Sequence, residues 1–286
     1  MAPLTIAVAS GKGGTGKTSI AANLVLALDS ADYIDCDVET PNGHLFLDPE
    51  IRERSAVTQP LPRIDPELCV LCGACAEACE FNALAMSRRK VLLFAELCHS
   101  CGVCTSLCRV PGAITEVDRE IGSVESGLIR RGAQTTGFVQ GSLNLGETAT
   151  VAVIKAAKQQ RDPERTVVLD APAGTACPMV ETLHGADYCL LVTEPTPFGL
   201  NDLELAVGVA RRLGVPCGLV LNRCDIGDRA VADYCEAQDI PILMEIPFDR
   251  SLAEAYAQGR PWIDLDPTWG ERFQTLFQRI RQELQP

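Results

Sequence analysis

The stretch Gly11-Lys12-Gly13-Gly14-Thr15-Gly16-Lys17-Thr18 constrains this chain more than any other part of it. It follows a short apolar run, Leu4 to Ala9, and opens an Ala- and Leu-rich segment of helical character, Thr18 to Leu28. Strand, glycine loop and helix in that order satisfy G-x-x-x-x-G-K-[ST]. The glycines let successive backbone N–H groups curl round phosphate oxygens, and the helix N-terminus adds partial positive charge. Lys17 is placed to reach the β- and γ-phosphates, the Thr18 hydroxyl to ligate Mg2+, and Ser19 closes the loop. Gly11, Gly13 and Gly16 also fit the dinucleotide fingerprint G-x-G-x-x-G, and Asp35 stands where that fold keeps a ribose-binding acid. The Lys17-Thr18 pair decides for a triphosphate, because pyrophosphate binding in the dinucleotide fold does not need it.

Beyond the loop, apolar runs alternate with helical segments. Tyr33 to Cys36, Thr166 to Asp170, Tyr188 to Thr193, Pro216 to Leu221 and Ile242 to Ile246 read as strands. Glu147 to Gln160, Leu200 to Leu213 and Asp228 to Gln238 read as helices. That order predicts an α/β P-loop fold with a mainly parallel sheet covered on both faces. Acids close two of the strands, Asp35 and Asp37 on one and Asp170 on the other. At the carboxyl ends of parallel strands beside a phosphate site, such acids hold Mg2+ or its waters and orient the attacking water.

The style changes between residues 58 and 116. Pro60, Pro62 and Pro66 open a segment that carries C-x2-C-x2-C-x3-C twice, at Cys69, Cys72, Cys75, Cys79 and at Cys98, Cys101, Cys104, Cys108. Soft thiolates at this spacing wrap a cubane iron–sulfur cluster, and in two-cluster ferredoxins the fourth cysteine of each run serves the other cluster. The expected ligand sets are Cys69, Cys72, Cys75 and Cys108 for one [4Fe–4S] cluster, and Cys79, Cys98, Cys101 and Cys104 for the second. Zinc sites place two C-x2-C pairs far apart, so this spacing speaks against zinc. The proline usual after each fourth cysteine is absent, with Glu80 and Arg109 in its place. The reading is of residues 1–57 and 117–286 forming one P-loop domain, interrupted by a small α+β ferredoxin-like domain at 58–116. Val124 to Ile129 and Phe138 to Leu145 read as a hairpin leading back to the sheet. The other six cysteines form no C-x2-C pair and read as small buried hydrophobes, with Cys177 set apart by its place soon after Asp170.

The loop resembles the deviant Walker A of the MinD/ParA/Mrp and nitrogenase iron-protein class, which has an extra lysine at the position of Lys12. Asp35-Cys36-Asp37-Val38-Glu39-Thr40-Pro41-Asn42 resembles that class's switch I, and Asp170-Ala171-Pro172-Ala173-Gly174 its switch II. Asn222-Arg223 and Pro247-Phe248-Asp249 resemble the segments that frame adenine. The chain is similar over its length to MinD/Mrp-like ATPases with an internal ferredoxin domain. The resemblance implies ATP hydrolysis in a nucleotide-dependent homodimer or related heterodimer, with Lys12 crossing to the partner's nucleotide. It implies that Asp37 positions or deprotonates water, and that Asp35 and Asp170 serve Mg2+, Asp170 through water.

Lys plus Arg number 25 against 38 Asp plus Glu, a net charge of −13 that argues against nucleic acid and anionic membrane. No leader or membrane-spanning run is read, so a cytoplasmic protein is expected. The last helical stretch, Trp269 to Leu284, has an apolar face with balanced charges, as for a helix docked on its own domain. Three functions follow: ATP-gated electron transfer to a redox partner protein, an Mrp-type cluster carrier, or a MinD-like positional switch.

Overall fold

The structure, a computed structural model, describes residues 2–132 and 134–285. Its first half comprises β1 (Thr5–Ser10), α1 (Lys17–Leu26), β2 (Ala31–Asp35), α2 (Gly43–Leu47), β3 (Glu50–Ile64), α3 (Ala74–Glu77), β4 (Leu84–Met86), β5 (Val91–Leu93), α4 (Val103–Leu107), β6 (Ile114–Arg131) and β7 (Gln134–Leu143). The second half continues with α5 (Thr150–Gln159), β8 (Thr166–Ala173), α6 (Cys177–Leu183), β9 (Tyr188–Thr193), α7 (Pro197–Arg212), β10 (Cys217–Asn222), α8 (Ala230–Ala237), β11 (Ile242–Ile246), α9 (Arg250–Ala257) and α10 (Thr268–Glu283).

Nine strands form one sheet in the order β11-β10-β9-β1-β8-β2-β7-β6-β3. From β11 to β7 neighbouring strands are parallel, and β6 and β3 extend the edge antiparallel. Strand β1 is buried on both faces, as a central parallel strand must be. Its side chains divide with period two. Ile6 and Val8 join a core with Ile20 and Leu24 of α1 and Phe273 and Ile280 of α10, while Ala7 and Ala9 join the opposite core with Val153 of α5, Met179 of α6 and Leu203 of α7. Helix α10 buries Trp269, Phe273, Leu276 and Ile280 against the first of these cores, so the last helix docks on its own domain as its sequence suggested. Among the described residues no helix is long and apolar enough to cross a membrane.

The stretch read as a hairpin is the pair β6–β7, in register from Gly122↔Leu143 to Arg131↔Gln134. Strand β3 pairs with β6 from Glu50↔Leu128 to Ile64↔Ile114, so the boundaries read at 58 and 116 fall within these two strands. Pro60 and Pro62 are tolerated because β3 is the edge strand. The cysteine-rich residues 65–113 leave the far end of this ribbon, with the small β4–β5 ladder and the short helices α3 and α4.

Candidate functional site

The glycine loop joins the carboxyl end of β1 to α1. Gly14 and Gly16 have φ of 81° and 94°, which glycine alone adopts without strain. Asn222, at the end of β10, donates from Nδ2 to the Thr15 carbonyl at 2.8 Å and pins the loop from the side. A Cβ at Gly16 would come within 2.8 Å of the same Nδ2, and one at Gly11 would strike the Asp202 backbone. The loop is thereby packed by β10 and α7, with its open side turned to a cavity.

That cavity measures about 390 Å³. Its lining includes, from the residues singled out in the sequence, Lys12, Gly13, Gly14, Gly16, Lys17, Thr18, Ser19, Asp37, Asn222, Arg223, Pro247 and Asp249. Gly11, Thr15, Asp35 and Asp170 stand behind this lining. Phe248, Leu252, Ala253, Tyr256 and Trp262 form an apolar wall that sequence reading missed apart from Phe248. Only the helical spacing of Leu252 and Ala255 after the N-cap Asp249 hinted at it.

Beside the glycine loop the charges are buried and paired. Lys17 Nζ lies 2.7 Å from Asp170 Oδ1, and the Tyr33 hydroxyl donates to Asp170 Oδ2 at 2.9 Å. Burial works against the Lys17 charge, but the Asp170 carboxylate outweighs it and holds the ammonium above its usual range. Asp35 is wholly buried, and its oxygens accept from the backbone N–H groups of Asp37 (3.0 Å), Asn42 (3.1 Å) and Gly43 (2.9 Å). Like Asp170, this carboxyl stands behind the cavity lining, and its accepted bonds shape the 37–43 loop. Burial, reinforced by the nearby Asp170 carboxylate, pushes it up to about 8. Asp37 does face the cavity. Its Oδ1 accepts from the Thr40 hydroxyl at 3.3 Å, and burial raises its carboxyl while Lys17 lowers it.

Lys12 is partly exposed, with Nζ 3.6 Å from Glu194 Oε2, and Arg223 Nη1 is 2.9 Å from Glu194 Oε1. Glu194, at the end of β9, thus holds two cations at the cavity rim. Nothing in the sequence pattern marked it.

The cysteine runs adopt one backbone conformation twice. Leu71 and Gly73 have φ of 57° and 82°, and Ser100 and Gly102 have 53° and 71°. Each glycine caps a short helix, α3 or α4, that carries the third cysteine of its run. A non-glycine residue at positive φ is uncommon, and here it occurs at equivalent places. Cys79, Cys98, Cys101 and Cys104 line one small cavity, with Phe81 stacked on His99 at 3.8 Å between ring centroids. Burial raises the Cys104 thiol, with Cys98 and Cys101 adding to the shift. Burial likewise raises the Cys75 thiol, with Cys104 and Cys69 adding. Among the described residues no three His, Cys, Asp or Glu side chains converge as the ligands of a metal ion. Of the six remaining cysteines, Cys36, Cys189 and Cys235 are buried, Cys217 and Cys224 half-buried and Cys177 exposed.

Comparison with known proteins agrees with the geometry of the loop and the sheet. An uncharacterised protein of Methanocaldococcus jannaschii is 31% identical over 273 residues, 91% of either chain. The Pyrococcus furiosus cell division ATPase MinD superposes with a TM-score of 0.56 at 22% identity over 99% of both chains. The septum site-determining protein MinD of Pyrococcus horikoshii, complexed with Mg-ADP, gives 0.56 at 20% identity over 98% of this chain and 96% of that one. These two likenesses concern the fold. The family of CobQ/CobB/MinD/ParA nucleotide-binding domains matches residues 6–262. The chain belongs to that family.

Proposed function

We propose that this protein binds and hydrolyses MgATP as a dimeric switch acting on a partner protein in the manner of MinD. One observation carries the reading: Lys12, Lys17, Thr18, Asp37 and Asn222 line a single cavity, with an apolar wall beside them. In this reading the loop and Lys17 hold the phosphates. Thr18 would hold Mg2+ with Asp35 and Asp170 as the carboxylates that serve the ion, and Asp170 would yield Lys17 to the nucleotide. Asn222, Arg223, Pro247 and Asp249 frame the adenine. Asp37 orients the attacking water, and Lys12 leaves Glu194 to stabilise the phosphoryl group bound by the second subunit.

The test is ATP turnover and sedimentation of wild type and Lys12→Ala with MgATP. The variant is expected to bind nucleotide, to remain monomeric and to lose about 10²- to 10³-fold in kcat. Wild type that neither turns over ATP nor dimerises with it would overturn the reading.

A second element rests on the duplicated backbone of the cysteine runs and on the cavity lined by Cys79, Cys98, Cys101 and Cys104. In this reading residues 58–116 form a small ferredoxin-like α+β module between two parts of the P-loop domain. Cys69, Cys72, Cys75 and Cys108 hold one [4Fe–4S] cluster, and Cys79, Cys98, Cys101 and Cys104 hold the other. A cubane places each thiolate on a different iron, so its ligands surround a body of eight atoms and do not converge on one ion. When bound, the clusters supply one-electron redox chemistry, which the ATP switch would then offer to or withhold from a redox partner. Iron and sulfide analysis of anaerobically purified protein, with an EPR spectrum after reduction, tests this element independently of ATP. Zinc in place of iron would end it.

A further inference from the structure

The apolar end of this cavity contains a buried donor without a hydrogen-bond partner among the described residues. Trp262 is 4% exposed and begins a 3-10 turn, Trp262–Asp264, that follows α9. Its ring packs into the core, 5.1 Å from Trp269 and 6.2 Å from Phe273 between centroids. Its indole Nε1 has no hydrogen-bond partner among the described residues. An indole nitrogen can only donate, and buried Trp N–H groups usually have an acceptor. The turn is anchored on both sides. Ile263 N donates to Asn23 Oδ1 at 3.0 Å, and Asp264 takes both guanidinium arms of Arg131 at 2.6 and 2.9 Å. The turn that carries the indole at the end of the cavity is therefore held in place.

Trp262 also lines the cavity that opens on the glycine loop. A second orphan lines it, Asn42 Oδ1, buried and without a partner among the described residues. With the phosphates at Lys17 and Thr18, the rest of a nucleotide has the apolar wall of Phe248, Leu252, Tyr256 and Trp262 to lie against. We infer that Trp262 is a nucleoside-binding residue, whose indole N–H donates to an acceptor on the base or ribose of the bound nucleotide. The inference rests on the cavity being the ATP site and names a recognition contact within it.

The experiment titrates the full chain with Mg2+ and ADP, ATP or inorganic tripolyphosphate. Trp262→Phe keeps an aromatic ring and removes the N–H. It is expected to weaken ADP and ATP by about three- to tenfold and to leave tripolyphosphate unchanged. A second arm uses Trp269→Phe, which leaves Trp262 as the sole tryptophan of the two in the chain. Its emission should shift with ADP and stay still with tripolyphosphate. Equal ADP affinity in wild type and Trp262→Phe, or an equal loss for ADP and tripolyphosphate, would overturn the assignment. So would emission that ignores ADP in the sole-tryptophan variant, which also covers a Trp262→Phe chain that does not fold. Wild type that binds tripolyphosphate but no nucleotide would take down the ATP reading itself.

Discussion

The sheet around β1 and the cysteine-rich residues 65–113 are held together by different means. Around β1 the strand from Ile6 to Ser10 and all of α1 are buried, two apolar cores fill the faces, and the buried charges of Lys17 and Asp170 are paired. In 65–113 only Cys75, Ala83, Leu84 and Ala113 are buried apolar residues, while Val70, Phe81, Phe94, Leu97 and Leu107 lie exposed. The local core reduces to Cys75, Leu84 and Ile114 with seven half-buried neighbours, three of them cysteines. Segments this small seldom fold on apolar burial alone and are usually stapled by disulfides or metal. The difference teaches that the body of the protein carries its own stability, whereas the segment borrows order from the β3–β6 ribbon and, in the proposed reading, from clusters held by its thiolates.

The largest expected effect follows from removing the proposed cluster ligands. In anaerobically purified full-length protein, Cys75→Ser with Cys104→Ser should accelerate amide exchange across 65–113 by about 10³-fold or more. Amides of α1 and β8 should keep their protection. Hydrogen exchange with mass spectrometry reads both regions at once, and a segment that stays protected without these thiolates would break the comparison.

The next effect is read on the body. Phe273 is wholly buried in the core shared by α1 and α10. Phe273→Ala should cost about 3–5 kcal/mol and lower the main thermal transition by roughly 10 °C. Leu84→Ala, in the small core of the segment, should leave that transition in place and loosen only the amides of 65–113. Scanning calorimetry of the two variants sharpens the contrast, and equal shifts would mean that both regions unfold as one unit.

How much of this was legible in the sequence depends on where the determining contacts are made. The glycine loop, the parallel strands and α10 were readable because local spacing and period-two or period-3.6 burial set them. The β6–β7 hairpin was readable from its two apolar runs. The length of β3 was hidden, because an exposed edge strand with two prolines has no apolar alternation to report. Helices α2, α6 and α9 are short and take their place from contacts with other elements, such as Phe46 on Tyr256 at 5.3 Å. In the site, Lys17, Thr18, Asp37 and Asn222 were found by motif. Glu194, Tyr33 and Trp262 were not, since each acts through partners far away in sequence. The bonds that Asp35 accepts from its own loop were not legible, because an acid at a strand end looks the same in sequence whatever its oxygens meet.

The last effect concerns Asp35 and is read against pH, and it too separates the regions. Burial and the nearby Asp170 push Asp35 from the model-compound value of 3.8 up to about 8 in the folded chain. Between those two values the native state keeps a proton that the unfolded chain has lost. The associated stability is fully present below about pH 4 and is lost as pH rises through about 8, by at most about 1.4 kcal/mol per pH unit. Asp35→Asn imitates the protonated acid, since its carboxamide oxygen can still accept from Asp37, Asn42 or Gly43. Urea midpoints of nucleotide-free wild type and variant should therefore agree best near pH 4 to 5. The variant should gain on wild type steadily towards pH 8. A difference that stays flat across that range would show that Asp35 is ionised in the folded protein, held so by the three N–H groups it accepts. Exchange in 65–113 should follow no such trend, because its order does not pass through the β2 carboxyl.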